Sequence, residues 1–233
     1  MTLIKDIINQ NKRLSNISKI ISELSKETQI KAYLVGGCVR DLMLNPSEDA
    51  IDVDIMVEGD GIAFAEMLAQ KINVTKIVPF KKFATAKIPY KEFEIEIASA
   101  RLETYDKSSR SPSKVTISNI QDDLLRRDFT INAMAISLNE QNFGEFFDPF
   151  NGMEDLKNQI LKTPLDPDTT FSDDPLRMMR ASYFASKLSL GIDKACLDSI
   201  KNNAERISIV SQERITNELF KVLGTKKPSI GLD

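Results

Sequence analysis

Two aspartates that alternate with apolar residues place the strongest constraint on the fold. Residues 51–57 read IDVDIMV, and this alternation has the two-residue period of a β-strand. Asp52 and Asp54 therefore share one face of the predicted strand. Two ionised carboxylates this close repel each other unless a cation lies between them, and paired carboxylate oxygens suit Mg²⁺. The solvated face of an edge strand is the alternative interpretation.

A short apolar run before this strand ends in two glycines. Residues 32–44 read AYLVGGCVRDLML, which predicts a strand, a turn at Gly36 and Gly37, and then a helix. Glycine lets a backbone approach a ligand closely, and the free N–H groups at a helix start favour phosphate. Arg40 adds a positive fork for phosphate oxygens. An unliganded turn is the alternative, but a phosphate cradle close to paired carboxylates indicates metal-dependent nucleotidyl transfer.

Composition excludes several kinds of chemistry. The 233 residues include no histidine and two cysteines, so an imidazole base is excluded and structural zinc is not expected. A formal net charge of −3 gives no overall basic field, so any RNA contact requires a local patch. The sequence has no apolar run of membrane-spanning length and no signal-peptide pattern at its start. We therefore expect a cytoplasmic location and no membrane partner.

Hydrophobic periodicity and turn-forming residues predict the remaining secondary structure. Helical spacing recurs near the start and in the last third of the chain, and alternating stretches lie between these regions. We predict helices over 3–24 (as one, or as two with a break near 9–11), 62–69, 193–203 and 212–223, strands over 75–79, 83–88, 92–98 and 160–163, and loops over 106–114 and 166–172.

The strand predicted over 92–98 carries a candidate third carboxylate. Glu92, Glu94 and Glu96 alternate with apolar residues, so their side chains share a face. One of them is expected to complete a metal site with the two aspartates, and we favour Glu96 because of a family resemblance described below. The spacing alone is equally compatible with three solvated glutamates.

A helix with aligned charges is predicted to begin at Asp173, with Ser172 as its N-cap. Asp174, Arg177 and Arg180 follow at intervals of three, so they would share one helical face. An acid and a base at this spacing most often form a surface ion pair of small energetic effect. The alternative is that they recognise a ligand.

Five stretches of the chain resemble motifs of the class II CCA-adding tRNA nucleotidyltransferases and bacterial poly(A) polymerases, within the DNA polymerase beta superfamily. The resemblance extends from Tyr33 to the end of the sequence. The stretches are LVGGCVRD at 34–41 with DVD at 52–54, RRDFTINAMA at 126–135, FDPFNGMEDL at 147–156, DDPLRMMR at 173–180 and ERITNELFKVL at 213–223.

The resemblance implies a metal site and a triphosphate site. Asp52 and Asp54 would hold two Mg²⁺ ions about 4 Å apart, one for the attacking oxygen and one for the triphosphate. Glu96 is the first residue of the stretch EIASARLETY at 96–105, which resembles a further segment of the family. By this resemblance Glu96 would complete the catalytic group. The triphosphate would be bound by Gly36, Gly37 and Arg40.

The resemblance also implies residues that position the nucleotide and select its base. Arg127 and Asp128 would organise the phosphates and sugar, and Asn132 would contact the sugar or the metal shell. Asp174 and Arg177 would read the base, and Arg180 would belong to the same nucleotide-binding group.

A carboxylate and a guanidinium form a chemically sensible reader of C and A. Cytosine and adenine both offer an amino donor beside a ring-nitrogen acceptor, whereas uracil and guanine place carbonyl acceptors where that amino group is needed. Two positions depart from the family pattern. The family usually has glutamate where this chain has Asp173, and a third arginine where it has Tyr183, so a base contact at Tyr183 is in doubt.

The expected fold is therefore α+β. A nucleotidyltransferase head over residues 1–150, with a mixed β-sheet flanked by helices, precedes an all-α neck over 151–233. The family's body and tail domains are not in the sequence, so we expect a truncated form. The expected enzyme adds C and A to tRNA 3′ ends, or to other RNA 3′ ends, from CTP and ATP with release of pyrophosphate.

Three alternatives to this function remain open. A poly(A) polymerase, or an enzyme that adds only CC or only A, would carry the same motifs. An inactive RNA-binding or regulatory protein could use the same fold. A generic phosphate-binding module would lack a base-reading pair.

Overall fold

The structure is a computed structural model that describes residues 4–46, 52–105 and 112–232, without the side chains of 103–105 and 112–114. The chain folds into two compact units and passes between them several times. The boundary expected near residue 150 stays a prediction. Unit 1 consists of Met1–Leu102, Thr116–Leu124 and Asn132–Pro149, and unit 2 consists of Glu103–Val115, Leu125–Ile131 and Phe150–Asp233.

The strands form one seven-stranded sheet and two small ladders. In chain order they are β1 (Ala32–Val35), β2 (Val53–Val57), β3 (Val78–Phe80), β4 (Thr85–Tyr90), β5 (Phe93–Ser99), β6 (Arg101–Tyr105), β7 (Pro112–Ile117), β8 (Ala135–Ser137), β9 (Phe146–Phe147), β10 (Ile160–Leu161) and β11 (Gly191–Ile192).

The helices lie before, between and after these strands. They are α1 (Ile4–Gln10), α2 (Leu14–Thr28), α3 (Gly37–Leu44), α4 (Gly61–Lys71), α5 (Ile120–Leu125), α6 (Gly152–Lys157), α7 (Pro167–Asp173), α8 (Leu176–Leu188), α9 (Lys194–Asn203), α10 (Gln212–Leu223) and α11 (Ser229–Leu232).

The large sheet of unit 1 is mixed. Its strand order is β3-β4-β5-β2-β1-β8-β9, with β2 and β5 parallel and the other neighbouring pairs antiparallel. A parallel pair requires a crossover connection, and α4, β3 and β4 lie in that connection. The expected α+β fold with a mixed sheet and flanking helices is confirmed.

One face of this sheet forms the core of unit 1. Val53, Ile55 and Val57 of β2 and Ile95 and Ile97 of β5 are all at most 2% exposed. Because side chains alternate along a strand, these residues share one face, against which α4 packs. The charged residues between them consequently lie on the opposite face.

The break predicted near residues 9–11 separates α1 from α2. Asn11 is 2% exposed, and its side-chain oxygen accepts hydrogen bonds from the backbone N–H groups of Arg13 (3.1 Å) and Leu14 (3.2 Å). These N–H groups have no intrahelical partner at the start of a helix. Asn11 therefore supplies the hydrogen-bond acceptor at the start of α2, after the break that ends α1.

Unit 2 is mainly helical, and it also contains the parallel two-residue ladder of β10 and β11 and most of the β6–β7 ladder. Its core is centred on Phe129 and Phe184, whose rings meet edge to face with centroids 5.7 Å apart. The rest of this buried cluster comprises Ile131, Leu156, Leu161, Phe171, Met178, Ala181, Leu190 and Cys196.

The start of the charged helix was predicted wrongly. The expected loop over 166–172 contains α7, and Ser172 lies inside that helix instead of capping the next one. Asp166 caps α7 by accepting from the N–H of Thr169 at 3.0 Å, and Pro167 occupies the first helical position. Aspartate followed by proline is a strong helix-start signal, and it precedes the serine.

The remaining predicted boundaries shift by a few residues. The strands expected over 75–79, 83–88 and 92–98 correspond to β3, β4 and β5. Of the loop expected over 106–114, residues 106–111 lie outside the described residues. Its last three residues, 112–114, belong to β7. Within 4–46, 52–105 and 112–232, no helix combines the length and apolar character that crossing a bilayer requires.

Candidate functional site

Three acidic residues proposed from the sequence lie at the β2–β5 pair of unit 1. Asp54 is half-buried within β2, and Asp52 immediately precedes that strand and is exposed. Asp54 is in register with Glu96 of β5, and residues in register project to the same face of a sheet. We call the face that carries Asp54 and Glu96 the carboxylate face.

Glu96 also has a basic neighbour on the carboxylate face. Lys87 of β4 is in register with Glu96, and its Nζ lies 3.5 Å from Glu96 Oε2 and 2.6 Å from Glu94 Oε1. The hydrogen bond to Glu94 is the main cause that raises the pKa of Lys87, and Glu96 adds to it. The role of Glu96 as the third carboxylate stays a prediction.

The acidic residues at the β2–β5 pair fit a metal ion that shares its coordination with a substrate. Among the described residues, no group of three or more histidine, cysteine, aspartate or glutamate side chains is arranged to hold a metal. Mg²⁺ is commonly held by one or two carboxylates, with water and substrate phosphate oxygens as the other ligands. Asp52 and Asp54 supply hard oxygen donors of this kind, so they fit Mg²⁺ that is bound together with a triphosphate.

The glycine turn lies beside the aspartates, and Cys38 connects the two. The thiol of Cys38, in the first turn of α3, hydrogen-bonds to the backbone of Asp54 and lies near the charges of Asp54, Asp41 and Asp52. Burial is the main cause that raises the pKa of Cys38 well above its usual value, and Asp54 raises it further. Sequence reasoning gave this cysteine no role.

Gly36 needs to be glycine because of its backbone conformation. Its φ of 68° and ψ of −134° are accessible to glycine and strained for other residues. Its N–H donates to the carbonyl oxygen of Met134 at 3.2 Å, and its own carbonyl accepts from the N–H of Arg40 at 3.1 Å. A Cβ added to Gly37 would lie 3.5 Å from Arg40 Nη2, so the guanidinium lies directly over the turn.

Arg40 is buried and held by two partners. It is 3% exposed, and its Nε and Nη2 donate to the Asp41 carboxylate at 2.7 and 2.9 Å. Its Nη1 donates to the side-chain oxygen of Asn132. Asn132, expected at the sugar or metal shell, therefore also orients Arg40. The contact of Arg40 with a triphosphate stays a prediction.

In unit 2, α8 reaches the segment that carries Arg127 and Asp128. Arg177 is 9% exposed, and its Nη2 donates to the carbonyl oxygen of Arg126 at 2.8 Å. Arg180 Nε donates to Asp128 Oδ2 at 2.7 Å. Residues of the second and fourth motifs are thus brought together.

In the Asp128–Arg180 pair the carboxylate is buried, whereas the arginine side chain is 34% exposed. Asp128 is 8% exposed, and its other oxygen accepts from the backbone N–H of Phe129 at 2.8 Å. The charge of Asp128 is the main cause that raises the pKa of Arg180. The guanidinium carbon lies 5.3 Å from the ring centroid of Phe184, which is within cation–π range.

One local prediction for these motifs was wrong. Asp174 lies outside a helix, in an extended conformation between α7 and α8. Arg126, Arg127 and Asp128 follow α5, which ends at Leu125.

Asp174 instead caps the start of α8. Its Oδ1 accepts from the N–H of Leu176 at 3.2 Å, and its carbonyl oxygen accepts from the N–H of Arg177 at 2.9 Å. Arg177 and Arg180 remain one helical turn apart on α8, so only these two of the three charged residues share a helical face.

Tyr183, at the position where the family usually has a third arginine, packs against the core of unit 2. Its ring centroid lies 5.1 Å from that of Phe184 and 5.9 Å from Lys187 Nζ. A tyrosine cannot supply the positive charge of an arginine at this position.

Comparison with known proteins gives two matching family models. Residues 32–162 match the poly(A) polymerase head domain, and residues 189–233 match the probable RNA and SrmB-binding site of polymerase A. The first match covers every residue proposed above from Gly36 to Asn132.

Two curated relatives share more than a third of their aligned residues with this chain. An A-adding tRNA nucleotidyltransferase of Aquifex aeolicus is 38% identical over 192 residues, which are 82% of this chain and 23% of that protein. A CCA-adding enzyme of Lactobacillus helveticus is 38% identical over 198 residues, which are 84% of this chain and 47% of that protein. The chain thus spans 23% of the length of the first relative and 47% of the length of the second.

The solved structures that resemble this chain include CCA-adding enzymes as well. A CCA-adding enzyme in an apo form aligns with a TM-score of 0.86 and 33% identity over 100% of this chain and 55% of that chain. The Thermotoga maritima CCA-adding enzyme complexed with tRNA aligns with a TM-score of 0.83 and 32% identity, over 100% of this chain and 53% of that chain.

The Asp128–Arg180 pair generates a stability prediction. Arg180→Ala leaves the buried Asp128 carboxylate without its guanidinium, which should lower the free energy of unfolding by about 2–4 kcal/mol. Arg180→Lys keeps the charge and loses the two-nitrogen contact, so its loss should be smaller. Urea unfolding followed by circular dichroism measures both. Lys194→Ala, which removes an exposed ion pair with Asp198, is the control and should change little. Equal stability of Arg180→Ala and the control would contradict this role.

Proposed function

Because the chain belongs to the poly(A) polymerase head-domain family, we propose that it transfers nucleotidyl groups to RNA 3′ ends. The donors are CTP and ATP, the acceptor is a tRNA 3′ end, and Mg²⁺ is the cofactor. The observation that carries this proposal is the register of Asp54 with Glu96, close to a glycine turn that Cys38 links to Asp54.

In the proposed reaction the 3′-hydroxyl oxygen forms a bond to the α-phosphorus of the nucleotide. The bond from that phosphorus to the bridging oxygen breaks, and pyrophosphate leaves. Mg²⁺ bound by Asp52 and Asp54 would neutralise charge on the phosphate oxygens and favour ionisation of the attacking hydroxyl. Glu96, which is in register with Asp54, would accept the hydroxyl proton.

The glycine turn and Arg40 are proposed to bind the triphosphate. Backbone N–H groups at the start of α3 are directed as phosphate donors, and the absent side chain at Gly37 leaves the turn open. Asp41 and Asn132 hold the Arg40 guanidinium in one orientation. A preorganised cation of this kind needs little reorganisation when charge builds on the leaving pyrophosphate.

In unit 2 we propose that Asp174 and Arg177 select the base. One carboxylate accepts from the amino group of C or A, and one guanidinium donates to a ring nitrogen. Arg127 and Asp128 would position the phosphates and sugar. The ion pair with Asp128 makes Arg180 a residue that orients this group, in addition to its proposed nucleotide contact.

The choice of tRNA and of added bases rests on the relatives. The similar proteins include both CCA-adding and A-adding tRNA nucleotidyltransferases, and the motifs do not separate these activities. Addition of C and A is our proposal, and A-addition alone is the second candidate because the Aquifex relative carries that name.

Removal of one metal-binding carboxylate tests the reaction. Asp52→Asn keeps the shape of the side chain and removes its charge, so incorporation of labelled nucleotide should fall by roughly two orders of magnitude or more. Circular dichroism should show an unchanged fold, since Asp52 is exposed. Asp198→Asn removes the same charge from an exposed position on α9 and should retain activity. Near-normal incorporation by Asp52→Asn would exclude this carboxylate as a metal ligand.

Base selection can be tested with all four nucleoside triphosphates. Arg177→Ala and Asp174→Ala should admit UTP or GTP, because a site that pairs a polar base edge loses discrimination when its partner is removed. Asp174→Asn keeps an oxygen that can cap α8, and so separates base selection from loss of the cap. Arg214→Ala, on the exposed surface of α10, is the control. An unchanged preference for C and A in every variant would show that these residues do not read the base.

A further inference from the structure

One stretch of unit 1 is strongly basic although the chain has a net charge of −3. Residues 67–91 contain no acidic residue. The lysines of this stretch are Lys71, Lys76, Lys81, Lys82, Lys87 and Lys91.

Four of these lysines pair with no acidic side chain among the described residues. Lys71 pairs with Glu27 at 2.8 Å and Lys87 pairs with glutamates of β5. The other four are Lys76, Lys81, Lys82 and Lys91, of which the first three lie next to β3. Uncompensated positive charge is thus concentrated in and next to β3.

Two phenyl rings lie exposed beside these lysines. β3 is one of the two edge strands of the large sheet, and a single 3₁₀ turn over Lys81–Phe83 joins it to β4. Phe80 is 40% exposed and Phe83 is 47% exposed, whereas phenylalanine is usually buried. We call Phe80, Phe83, Lys76, Lys81 and Lys82 the lysine–phenylalanine edge.

The turn that presents Phe83 is held in place. The carbonyl oxygen of Phe83 accepts a hydrogen bond from Arg101 Nη1, and Thr85 Oγ1 donates to the same oxygen at 3.0 Å. The Ala84 N–H closes the turn by donating to the Lys81 carbonyl at 3.2 Å. A ring displayed by a fixed backbone loses little conformational entropy when it binds.

Phe80 of this edge projects to the same face of the sheet as Asp54 and Glu96. Val78 of β3 is in register with Lys87, Lys87 with Glu96, and Glu96 with Asp54. Phe80 follows Val78 by two residues, so it projects to this carboxylate face. Three strand spacings separate β3 from β2, which is about 14 Å.

The chemistry of the edge argues against pairing with another protein strand. Pro79 lies in the middle of β3 and has no N–H to donate to a neighbouring strand. Lysines and proline on an edge strand are the usual means of preventing strand addition. Cations interleaved with exposed rings are instead the combination that binds unpaired nucleic acid, through phosphate contacts and base stacking.

We propose that the lysine–phenylalanine edge binds the unpaired RNA strand upstream of the 3′ end that is being extended. This inference rests on the proposed function for the position of that 3′ end at Asp52 and Asp54. Lys76, Lys81 and Lys82 contact phosphates, and Phe80 and Phe83 stack on bases. The distance of about 14 Å corresponds to roughly four stacked nucleotides at 3.4 Å each.

Binding of a single-stranded RNA decamer, labelled with fluorescein and ending in CC, tests the proposal without nucleotide or metal. Phe80→Ala and Phe83→Ala should each weaken binding by roughly tenfold in fluorescence anisotropy, while Phe80→Tyr, which keeps an aromatic face, should bind normally. Phe143→Ala, which removes a half-buried ring of unit 1 outside the edge, is the control. Unchanged affinity in both alanine variants would overturn the proposal.

The salt dependence of the same binding tests the lysines. Lys81→Ala and Lys82→Ala should each reduce the slope of log affinity against log salt by about 0.7. Sedimentation of the protein without RNA measures whether the chain forms a dimer, which is the alternative to RNA binding at this edge. A dimer that dissociates in Phe80→Ala, with RNA affinity unchanged, would show that the edge binds a second copy of the chain and would overturn the RNA proposal.

Photo-crosslinking separates this inference from the proposed function. A decamer with 5-iodouridine about four nucleotides from its 3′ end should crosslink to Phe80 or Phe83. Crosslinks to these rings in a chain that incorporates no nucleotide would leave the edge as an RNA site and remove only the transferase function. Active incorporation with all crosslinks elsewhere would overturn the edge and leave the function intact.

Discussion

The register between β2 and β5 is the constraint on which the proposed metal site depends. These strands are parallel, and their pairing sets Asp54 beside Glu96 on one face while Val53, Ile55 and Ile97 enter the core on the other. A slip by one residue would bury the carboxylates and expose the apolar residues. The hydrophobic core of unit 1 therefore fixes the position of the acids, and the repulsion between those acids creates the demand for a cation.

Arginines paired with buried partners are the second structural device. Arg40 is bonded to Asp41 and Asn132 in unit 1, and Arg180 is bonded to Asp128 in unit 2. A buried pair of charges contributes little net stability, because desolvation opposes the attraction. Its consequence here is geometric. Each guanidinium is held in one orientation, which is what the electrostatic role proposed for it toward a charged substrate would require.

Local patterns in the sequence predicted the sheet, the glycine turn and the family, and the match to the poly(A) polymerase head domain confirms the family. Helix starts were less predictable. Ser172 is an acceptable cap, but Asp166 and Pro167 begin a helix earlier, and Asp174 then caps α8. The contacts of Arg40 with Asn132 and of Asp128 with Arg180 join residues 92 and 52 positions apart. Such pairs depend on tertiary packing, which spacing along the chain does not record.

Metal binding in the presence and absence of nucleotide tests the central claim most directly. Mn²⁺ accepts the same oxygen ligands as Mg²⁺ and is visible by electron paramagnetic resonance. The structure predicts that Mn²⁺ binds weakly to the protein alone, that CTP or ATP strengthens the binding, and that Asp54→Asn weakens the ternary complex at least ~10-fold. Mn²⁺ binding that is independent of nucleotide, or that persists unchanged in Asp54→Asn, would contradict a metal–triphosphate site on the carboxylate face.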